Sequence, residues 1–333
     1  MQKNSTFLKK TLYSIVPLLL LFILPWIVYY NTFHNDFIFD DLPLIQGSKI
    51  LPSLDSISDL KKVFTQKSGY RPIRTLSYAI DYHLSGLNPV SYHLSNILFH
   101  SAAVLFVYLI TLSLLSNRTS AFCAALLFAV HPVHTDSVAY IAGRRDILCA
   151  LFYIMGFYGF LKFRQTNRLV YAVFAFVAYG LSMGSKEMGV TLPAVFFLYD
   201  LVNQISSGEK GLGPGPIRVT AGAFKRTVIK HPYFYGIFFT GALAFSYYKV
   251  FVNSPSHQNL YYGDSMWVTF LTVGRILVHY IRMILFPVNL VADYSYDAFP
   301  LSSSLIEWST LFSFVLISGV LFFIIRMIPR KNR

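Results

Sequence analysis

The sequence predicts an all-α, polytopic membrane protein, and three observations lead to this fold class. Of its 333 residues, 55% are hydrophobic and 17% aromatic, and the mean hydropathy is +0.52. Only 13% of the residues are charged, against about 25% in soluble domains. Apolar runs recur along the chain between short polar loops. Helices satisfy their own backbone groups in lipid, so these runs predict a helical bundle.

Each long apolar run predicts one spanning helix, which needs about 20 residues. We expect about eight spans, at residues 12–30, 93–116, 120–139, 147–163, 169–184, 190–206, 233–252 and 305–326. The first run is long for a signal peptide, and no small-residue cleavage site follows it, which favours an uncleaved anchor. Residues 1–333 are interpreted as a single membrane domain with two long loops, 31–92 and 207–232.

The distribution of basic residues predicts the topology. Lys9 and Lys10 precede the first span and place the N-terminus in the cytoplasm. The amphipathic loop 31–92 is then outside, and the linker loop 207–232 is cytoplasmic. The basic C-terminal tail also belongs inside, so the further apolar helix at 267–287 is predicted to be re-entrant or to lie on the outer surface. The alternative is a ninth span whose polar side chains are buried between helices.

The charge balance does not point to nucleic acid. The net charge of +13 comes mainly from basic residues in short loops and at the tail, where membrane topology requires them. Cys123 and Cys149 lie in apolar stretches without metal-type spacing, which favours buried free thiols. We therefore expect membrane lipid as a partner and no nucleic acid.

Two adjacent carboxylates, Asp40 and Asp41, follow the first span directly. Such a pair is costly to desolvate near a membrane, and each charge raises the pKa of its neighbour. A carboxylate can take a proton from a hydroxyl nucleophile. The pair is therefore the candidate catalytic centre, and binding of a cation is the alternative.

Several basic side chains are predicted on the same outer face as the acidic pair. Arginine can form bidentate hydrogen bonds with a phosphate, whereas lysine acts as a point charge. The candidate phosphate ligands are Arg71, Arg74, Arg144, Arg145 and Lys186. Lipid headgroup anchoring is the alternative for the arginines, and a local ion pair with Glu187 is the alternative for Lys186.

A second group of polar side chains is predicted to shape the pocket. Its members are His93, His131, His134, Asp136, Glu187, Arg275, His279 and Arg282. Polar groups on a spanning helix usually face the bundle interior. Hydrogen bonding between helices without chemistry is the alternative for each histidine. Metal binding by His131, His134 and Asp136 is a further alternative, but this group lacks a fourth ligand and Pro132 breaks its helical spacing, so the site is predicted to hold no metal.

Eight segments together resemble the membrane half of the transmembrane and tetratricopeptide-repeat O-mannosyltransferases and their bacterial relatives, which are GT-C glycosyltransferases. They occur in the family's order, at residues 37–41, 70–76, 86–89, 92–96, 128–136, 143–146, 185–191 and 285–295. They include Phe-Ile-Phe-Asp-Asp at 37–41 and Gly-Arg-Arg-Asp at 143–146. The family's acidic motif in the first loop corresponds to Asp40 and Asp41, with Asp40 in the leading position, so the resemblance implies Asp40 as the base, and we interpret Asp41 as orienting it. The resemblance covers roughly residues 30–300.

The resemblance implies a GT-C helical bundle and a glycosyltransferase. The donor would be a polyprenyl- or dolichyl-phosphate monosaccharide carrying mannose or a similar hexose, and the acceptor a Ser or Thr hydroxyl on a protein. The transfer would invert the sugar anomer, and neither a metal nor another cofactor is implied. The family's tetratricopeptide repeats are not found in this chain, so a repeat domain or partner chain is a possible companion.

Two rival functions stay open. One is a non-catalytic polyprenyl-phosphate carrier binder or flippase-like protein, which would use the basic residues but not the acidic pair. The other is an oligosaccharyltransferase using a lipid diphosphate, which would depend on a divalent ion. The missing repeats and short loops favour a prokaryotic inner membrane, with both termini cytoplasmic and the active site outside.

Overall fold

Helices are the only regular elements among the described residues. The computed structural model describes residues 2–54, 56–66, 69–206, 225–227, 229, 231–253, 263, 265–291, 294 and 299–327. The helices are α1 Gln2–Val28, α2 Leu60–Phe64, α3 Pro72–Ser85, α4 Pro89–Leu115, α5 Arg118–Val130, α6 Thr135–Ala139, α7 Arg144–Thr166, α8 Leu169–Ser185, α9 Leu192–Ser206, α10 Pro232–Tyr247, α11 Met266–Leu285 and α12 Trp308–Met327. The predicted all-α class is confirmed for these residues.

A helix lies at each of the eight predicted spans, but the number of crossings stays a prediction. Within the described residues, four helical stretches are long and apolar enough to cross a membrane: Pro89–Leu115, Ile141–Thr166, Glu187–Ser206 and Met266–Leu285. The helices α5 and α6 make a fifth if they form one span, bent by 46° at Pro132. The chain is therefore an integral membrane protein. Because α11 is among the four, its predicted re-entrant or surface placement also stays a prediction.

The chain divides into two compact units, each described by itself. The first contains residues 1–196 and 238–254, and the second contains 197–237 and 255–333. In the second unit α11 packs against α12, where Gly274 faces the ring of Phe314. Most of the predicted linker, 207–224, lies outside the described residues.

Small residues bring the helices of the first unit close together. On α5, Ala121, Ala125 and Ala129 recur every fourth residue and are fully buried against α1 and α4. On α7, a Cβ atom at Gly159 would lie 2.7 Å from Phe174 Cδ1 and 3.1 Å from the backbone nitrogen of Ala175 on α8. Helices in lipid gain contact area through such small residues, so α7 and α8 form the tightest pair of the unit.

The predicted loop 31–92 is a folded layer with its own core. Phe37, Ile45, Leu51 and Val63 are buried there against Tyr78 of α3. The layer rests on the bundle because α3 packs on α8. Its compactness positions residues far apart in sequence for the site described below.

We expect Gly159→Leu to separate α7 from α8 and to destabilise the protein by about 1–3 kcal/mol, the usual effect of overpacking. Thermal unfolding of the detergent-solubilised protein measures the change. Gly180→Leu on α8 is the matched control, since no atom lies within 4 Å of a Cβ placed there. Equal melting temperatures for the two variants would contradict close packing at Gly159.

Candidate active site

The two adjacent carboxylates end a tight turn, Ile38–Asp41, and point in different directions. The ring of Phe37 is buried against Tyr92, with 5.4 Å between ring centroids, and fixes the start of the turn. Phe39 follows in the left-handed backbone region, with φ of 45°. Asp41 is then buried while the side chain of Asp40 is 57% exposed.

Asp41 anchors this turn to the loop that precedes α7. Its Oδ1 accepts a hydrogen bond from the backbone nitrogen of Ala142 at 2.7 Å, and its Oδ2 accepts one from Ile38 at 3.1 Å. Burial raises the pKa of Asp41 to about 6, although the two backbone donors and the charge of Arg144 lower it. Both oxygens of Asp41 are thus engaged in holding the turn.

Asp40 is held by its backbone rather than by its side chain. Its nitrogen donates a hydrogen bond to the Tyr140 hydroxyl at 2.9 Å. Its Oδ2 lies 3.6 Å from Nη1 of Arg145, beyond the range of a strong charge-assisted hydrogen bond. The exposed carboxylate of Asp40 is therefore available to an incoming hydroxyl group.

Arg145 connects Asp40 to further charged side chains of α7 and of the end of α8. Arg145 Nε lies 3.5 Å from Oδ2 of Asp146, whose other oxygen forms an ion pair with Lys186. Asp136 interacts electrostatically with the same three residues. The predicted positions 136, 145 and 186 are thus brought to one place.

A second set of ion pairs joins the loop layer to the bundle. Arg71 donates to both oxygens of Glu187, at 2.9 and 3.4 Å, and Lys249 Nζ lies 3.9 Å from the same carboxylate. The rings of Tyr70 and Tyr248 meet edge to face beside them, with centroids 5.1 Å apart. These contacts attach the segment before α3 to the end of α10.

Arg74 differs from its neighbours because no carboxylate pairs with it in the described part of the chain. It is 3% exposed and interacts electrostatically with Arg71, Arg145 and Asp40. Its Nη2 donates to the carbonyl of Gly69 at 3.4 Å, while its Nε is buried with no partner among the described residues. Asp40 is thus the only carboxylate among these electrostatic partners, and no described carboxylate forms an ion-pair contact with Arg74. A buried guanidinium that lacks such a contact is unfavourable, so Arg74 is suited to bind an anion.

Arg144 was predicted to bind phosphate, and the structure places it elsewhere. It is fully buried beneath the acidic turn, and its Nη1 lies 2.5 Å from Oδ2 of Asp81. It also donates to Asn96 Oδ1 and to the carbonyl of Tyr92, both at 2.7 Å. Its guanidinium lies over the ring of Tyr78, 4.6 Å from the centroid. Its donors are thus engaged within the protein and it has no exposed surface, and its predicted role in phosphate binding stays a prediction.

The residues that do meet at this surface are called the charged cluster. Its members are Asp40, Arg71, Arg74, Arg145, Asp146, Lys186, Glu187 and Lys249. A pocket of about 410 Å³ opens beside it, lined by Asp146, Cys149, Ala150, Tyr153, Ile154, Lys186, Met188 and Thr191. The pocket therefore joins an ion pair of the cluster to a mainly apolar wall.

Comparison with known proteins identifies the family of this chain. Residues 75–210 match the family described as dolichyl-phosphate-mannose-protein mannosyltransferase. Protein O-mannosyl-transferase TMTC2 of Mus musculus is 30% identical over 88% of this chain and 37% of the relative. The chain belongs to the transmembrane and tetratricopeptide-repeat O-mannosyltransferases. The predicted family is thereby confirmed.

Other relatives of this O-mannosyltransferase family give the same picture. TMTC4 of Homo sapiens is 34% identical over 52% of this chain and 27% of the relative, and TMTC3 of Mus musculus is 31% identical over 52% and 20%. The chain thus spans well under half the length of these curated relatives. No solved structure matches it.

The histidines predicted to shape the pocket lie within the helical packing of this family member. His93 is buried on α4, and His131 Nδ1 accepts from the backbone nitrogen of Val133. The His134 ring packs against Phe128, with 4.4 Å between centroids. Among the described residues, no group of three His, Cys, Asp or Glu side chains is placed to hold a metal. The predictions of a pocket role for these histidines and of no metal are not tested by these contacts.

The polar stripe predicted on helix 267–287 lies in the second unit. Arg275 donates to the carbonyl of Pro300 and to Ser302 Oγ, both at 2.8 Å. His279 Nε2 lies 3.3 Å from the Tyr294 hydroxyl, and Arg282 donates to the carbonyl of Val288 at 3.4 Å. These side chains hold the segment after their own helix, and their role in the pocket stays a prediction. The nearby positions 293 and 295–297 lie outside the described residues.

Three members of the site were missed by the sequence interpretation. Asp146 was noted only as part of a motif, and Tyr140 carried no signal at all. Lys249 lies in the apolar run 233–252, where a lone lysine near the end of a span was the available signal. Each of these three residues is recognisable as part of the site only from its contact with a residue of another structural element.

The raised pKa of Asp41 predicts how stability depends on pH. The folded state binds this proton more tightly than the unfolded state, so the contribution is largest below the ordinary value of 3.8 and is lost as pH rises through about 6. The loss is at most about 3 kcal/mol. Melting temperatures between pH 4.5 and 7.5 should therefore fall more steeply for the wild type than for Asp41→Asn. Asp36→Asn, an exposed carboxylate change, is the control, and parallel curves for wild type and Asp41→Asn would contradict the assignment.

Proposed function

We propose that this chain is the membrane-embedded catalytic part of an inverting mannosyltransferase. It takes the sugar from a polyprenyl- or dolichyl-phosphate carrier and transfers it to a Ser or Thr hydroxyl on a protein. The family match and the names of the relatives support mannose and a protein acceptor. The observation that carries the proposal is Arg74, a buried cation beside Asp40 that has no carboxylate partner among the described residues.

The donor phosphate lies against Arg74 in this proposal. Arg71 and Arg145 flank it, and Lys186 adds a further positive charge near Arg145. As the sugar leaves, negative charge grows on the phosphate oxygen, and prearranged cations stabilise it there. The partner carboxylates, such as Glu187, keep the neighbouring cations in place before the donor arrives.

Asp40 then serves as the general base. Its carboxylate takes the proton of the acceptor hydroxyl while the hydroxyl oxygen attacks the anomeric carbon. The bond between this carbon and the phosphate oxygen breaks, and its electron pair leaves with the lipid phosphate. A single displacement of this kind inverts the anomer. Asp41 does not react, because both of its oxygens hold the turn.

The pocket beside the cluster suits the first part of the carrier chain. Its apolar side chains, among them Ile154 and Met188, lie next to Lys186. An isoprenoid phosphate has the same order of an anionic end and an apolar tail. We place the carrier chain along this wall and expect no metal or other cofactor to take part.

We assign the charged cluster to the membrane face opposite the cytoplasm, with both termini in the cytoplasm. The first loop carries mixed charge, whereas the basic loops concentrate elsewhere in the sequence. A prokaryotic inner membrane is the compartment predicted from the sequence; the relatives named above are from mouse and human. A repeat domain or partner chain would supply further acceptor contacts.

Arg74→Gln is expected to raise the KM for the lipid-phosphate mannose donor by about tenfold to 100-fold, as loss of a charged hydrogen bond does. The assay uses the full chain in membranes with synthetic donor and an acceptor peptide. Lys61→Gln is the matched control, because it removes an exposed cation of the same loop layer. An unchanged donor KM in Arg74→Gln would reject the phosphate site.

Asp40→Asn is expected to lower kcat by about 100-fold to 10,000-fold, the usual contribution of a general base. Binding of the donor should persist, since the cations are unchanged. Asp36→Asn controls for loss of a nearby exposed carboxylate. Wild-type protein that binds the donor without consuming it would instead favour a carrier binder, and loss of transfer on EDTA treatment would favour a lipid-diphosphate enzyme.

A further inference from the structure

A buried polar network lies directly beneath the acidic turn. Arg144 and Asp81 form its ion pair, and Ser95 Oγ donates to the other oxygen of Asp81 at 2.6 Å. Arg144 also donates to Asn96 Oδ1 at 2.7 Å. Arg144, Asp81 and Asn96 are 0%, 4% and 0% exposed. The network joins α3, α4 and α7, and the charge of Arg144 is neutralised within it.

The network holds the backbone of the loop between α6 and α7. Asn96 Nδ2 donates towards the carbonyls of Val138, Tyr140 and Ile141, at 3.2 to 3.5 Å. The Tyr78 hydroxyl, beneath the guanidinium of Arg144, also donates to the carbonyl of Ile141 at 3.0 Å. Two uncharged side chains, Asn96 and Tyr78, therefore donate hydrogen bonds to the carbonyls on the side of this segment that faces the network.

The opposite side of the same loop forms hydrogen bonds with both residues of the acidic pair, Asp40 and Asp41. The backbone nitrogen of Ala142 donates to Asp41, and the Tyr140 hydroxyl accepts from the nitrogen of Asp40. The loop has little room to adjust, since a Cβ at Gly143 would lie 2.5 Å from the carbonyl oxygen of Ser137. If the loop shifted where it contacts Asn96 and Tyr78, the acidic turn on its other side would therefore shift as well.

We propose that Arg144, Asp81 and Asn96 are positioning residues for the transfer reaction. Through the loop 138–143 they set the place of Asp40 relative to the phosphate held by the charged cluster. In this proposal they contact neither substrate. The charge of Arg144 is neutralised by Asp81, so Arg144 acts by holding the loop in place rather than by its charge. This inference rests on the proposed function, whereas its structural part, the coupling of Asn96 to the acidic turn, is independent of it.

Asn96→Leu tests the coupling because it removes the amide while leaving the Arg144–Asp81 ion pair in place. In the full chain in nanodiscs, amide hydrogen exchange should become faster in segments 36–44 and 138–143. The kcat for mannose transfer should fall by about 100-fold, the effect of a displaced reactive group. Binding of sugar-free polyprenyl phosphate should change by less than about twofold, since Arg71, Arg74 and Arg145 are not altered.

Tyr140→Phe is the second variant, and it removes only the hydroxyl that holds the nitrogen of Asp40. We expect kcat to fall about fivefold to tenfold with unchanged polyprenyl phosphate binding, in line with one lost hydrogen bond. Ser113→Ala is the matched control for Asn96→Leu, because Ser113 lies on α4 as Asn96 does but far from the acidic turn. It removes a side-chain hydrogen bond to the carbonyl of Leu109. Its exchange rates in both segments and its kcat should equal those of the wild type.

Two results would overturn the positioning role. One is unchanged exchange in both segments in Asn96→Leu. The other is a loss of kcat in Asn96→Leu that is matched by an equal loss of polyprenyl phosphate binding, as partial unfolding would cause. Failure of the wild type to transfer mannose would instead reject the proposed function, and the exchange measurements would still decide whether Asn96 holds the acidic turn.

Discussion

The burial of one guanidinium group constrains the centre of this protein more than any other contact. Arg144 has no exposed surface, so its charge requires a carboxylate, and Asp81 supplies it from the loop layer. Removing one partner of a buried ion pair typically costs about 3–5 kcal/mol, because the other charge is left unpaired. The pair therefore fixes the register of α3 against α7, and Asn96 adds α4 to the same junction.

The charged cluster above this junction follows different physics. Exposed ion pairs such as Arg71 with Glu187 add about 0–1 kcal/mol to stability, so stability alone does not account for their number. Their common effect is to hold cations in defined places around Arg74, which has no carboxylate partner among the described residues. The buried layer therefore contributes most of the stability, whereas the arrangement of the outer layer fits the donor phosphate proposed above.

The helices were predictable from the sequence because apolar runs and polar interruptions are local features, and the structure brings several of the predicted site residues, among them Arg71, Arg145 and Lys186, into one charged cluster. The sequence did not distinguish Arg144 from Arg145, which are adjacent in one motif. Both lie in the first turn of α7, where adjacent side chains point about 100° apart, so that Arg144 is buried and Arg145 is partly exposed. Asp81 and Asn96 were also out of reach, since their roles arise from pairing across elements. The number of membrane-spanning helices also depends on how each helix sits in the bilayer. Hydropathy and helix length alone do not determine this number.

The attachment of the loop layer by Arg71, Glu187 and Lys249 has a thermodynamic consequence. Arg71 and Arg74 belong to the loop layer, whereas Arg145 and Lys186 belong to the bundle. An anion that bridges both sets must favour the docked arrangement of the layer by as much as docking favours the anion, since linkage is reciprocal. The affinity for such an anion and the docking equilibrium of this layer would thus be linked by a single coupling free energy.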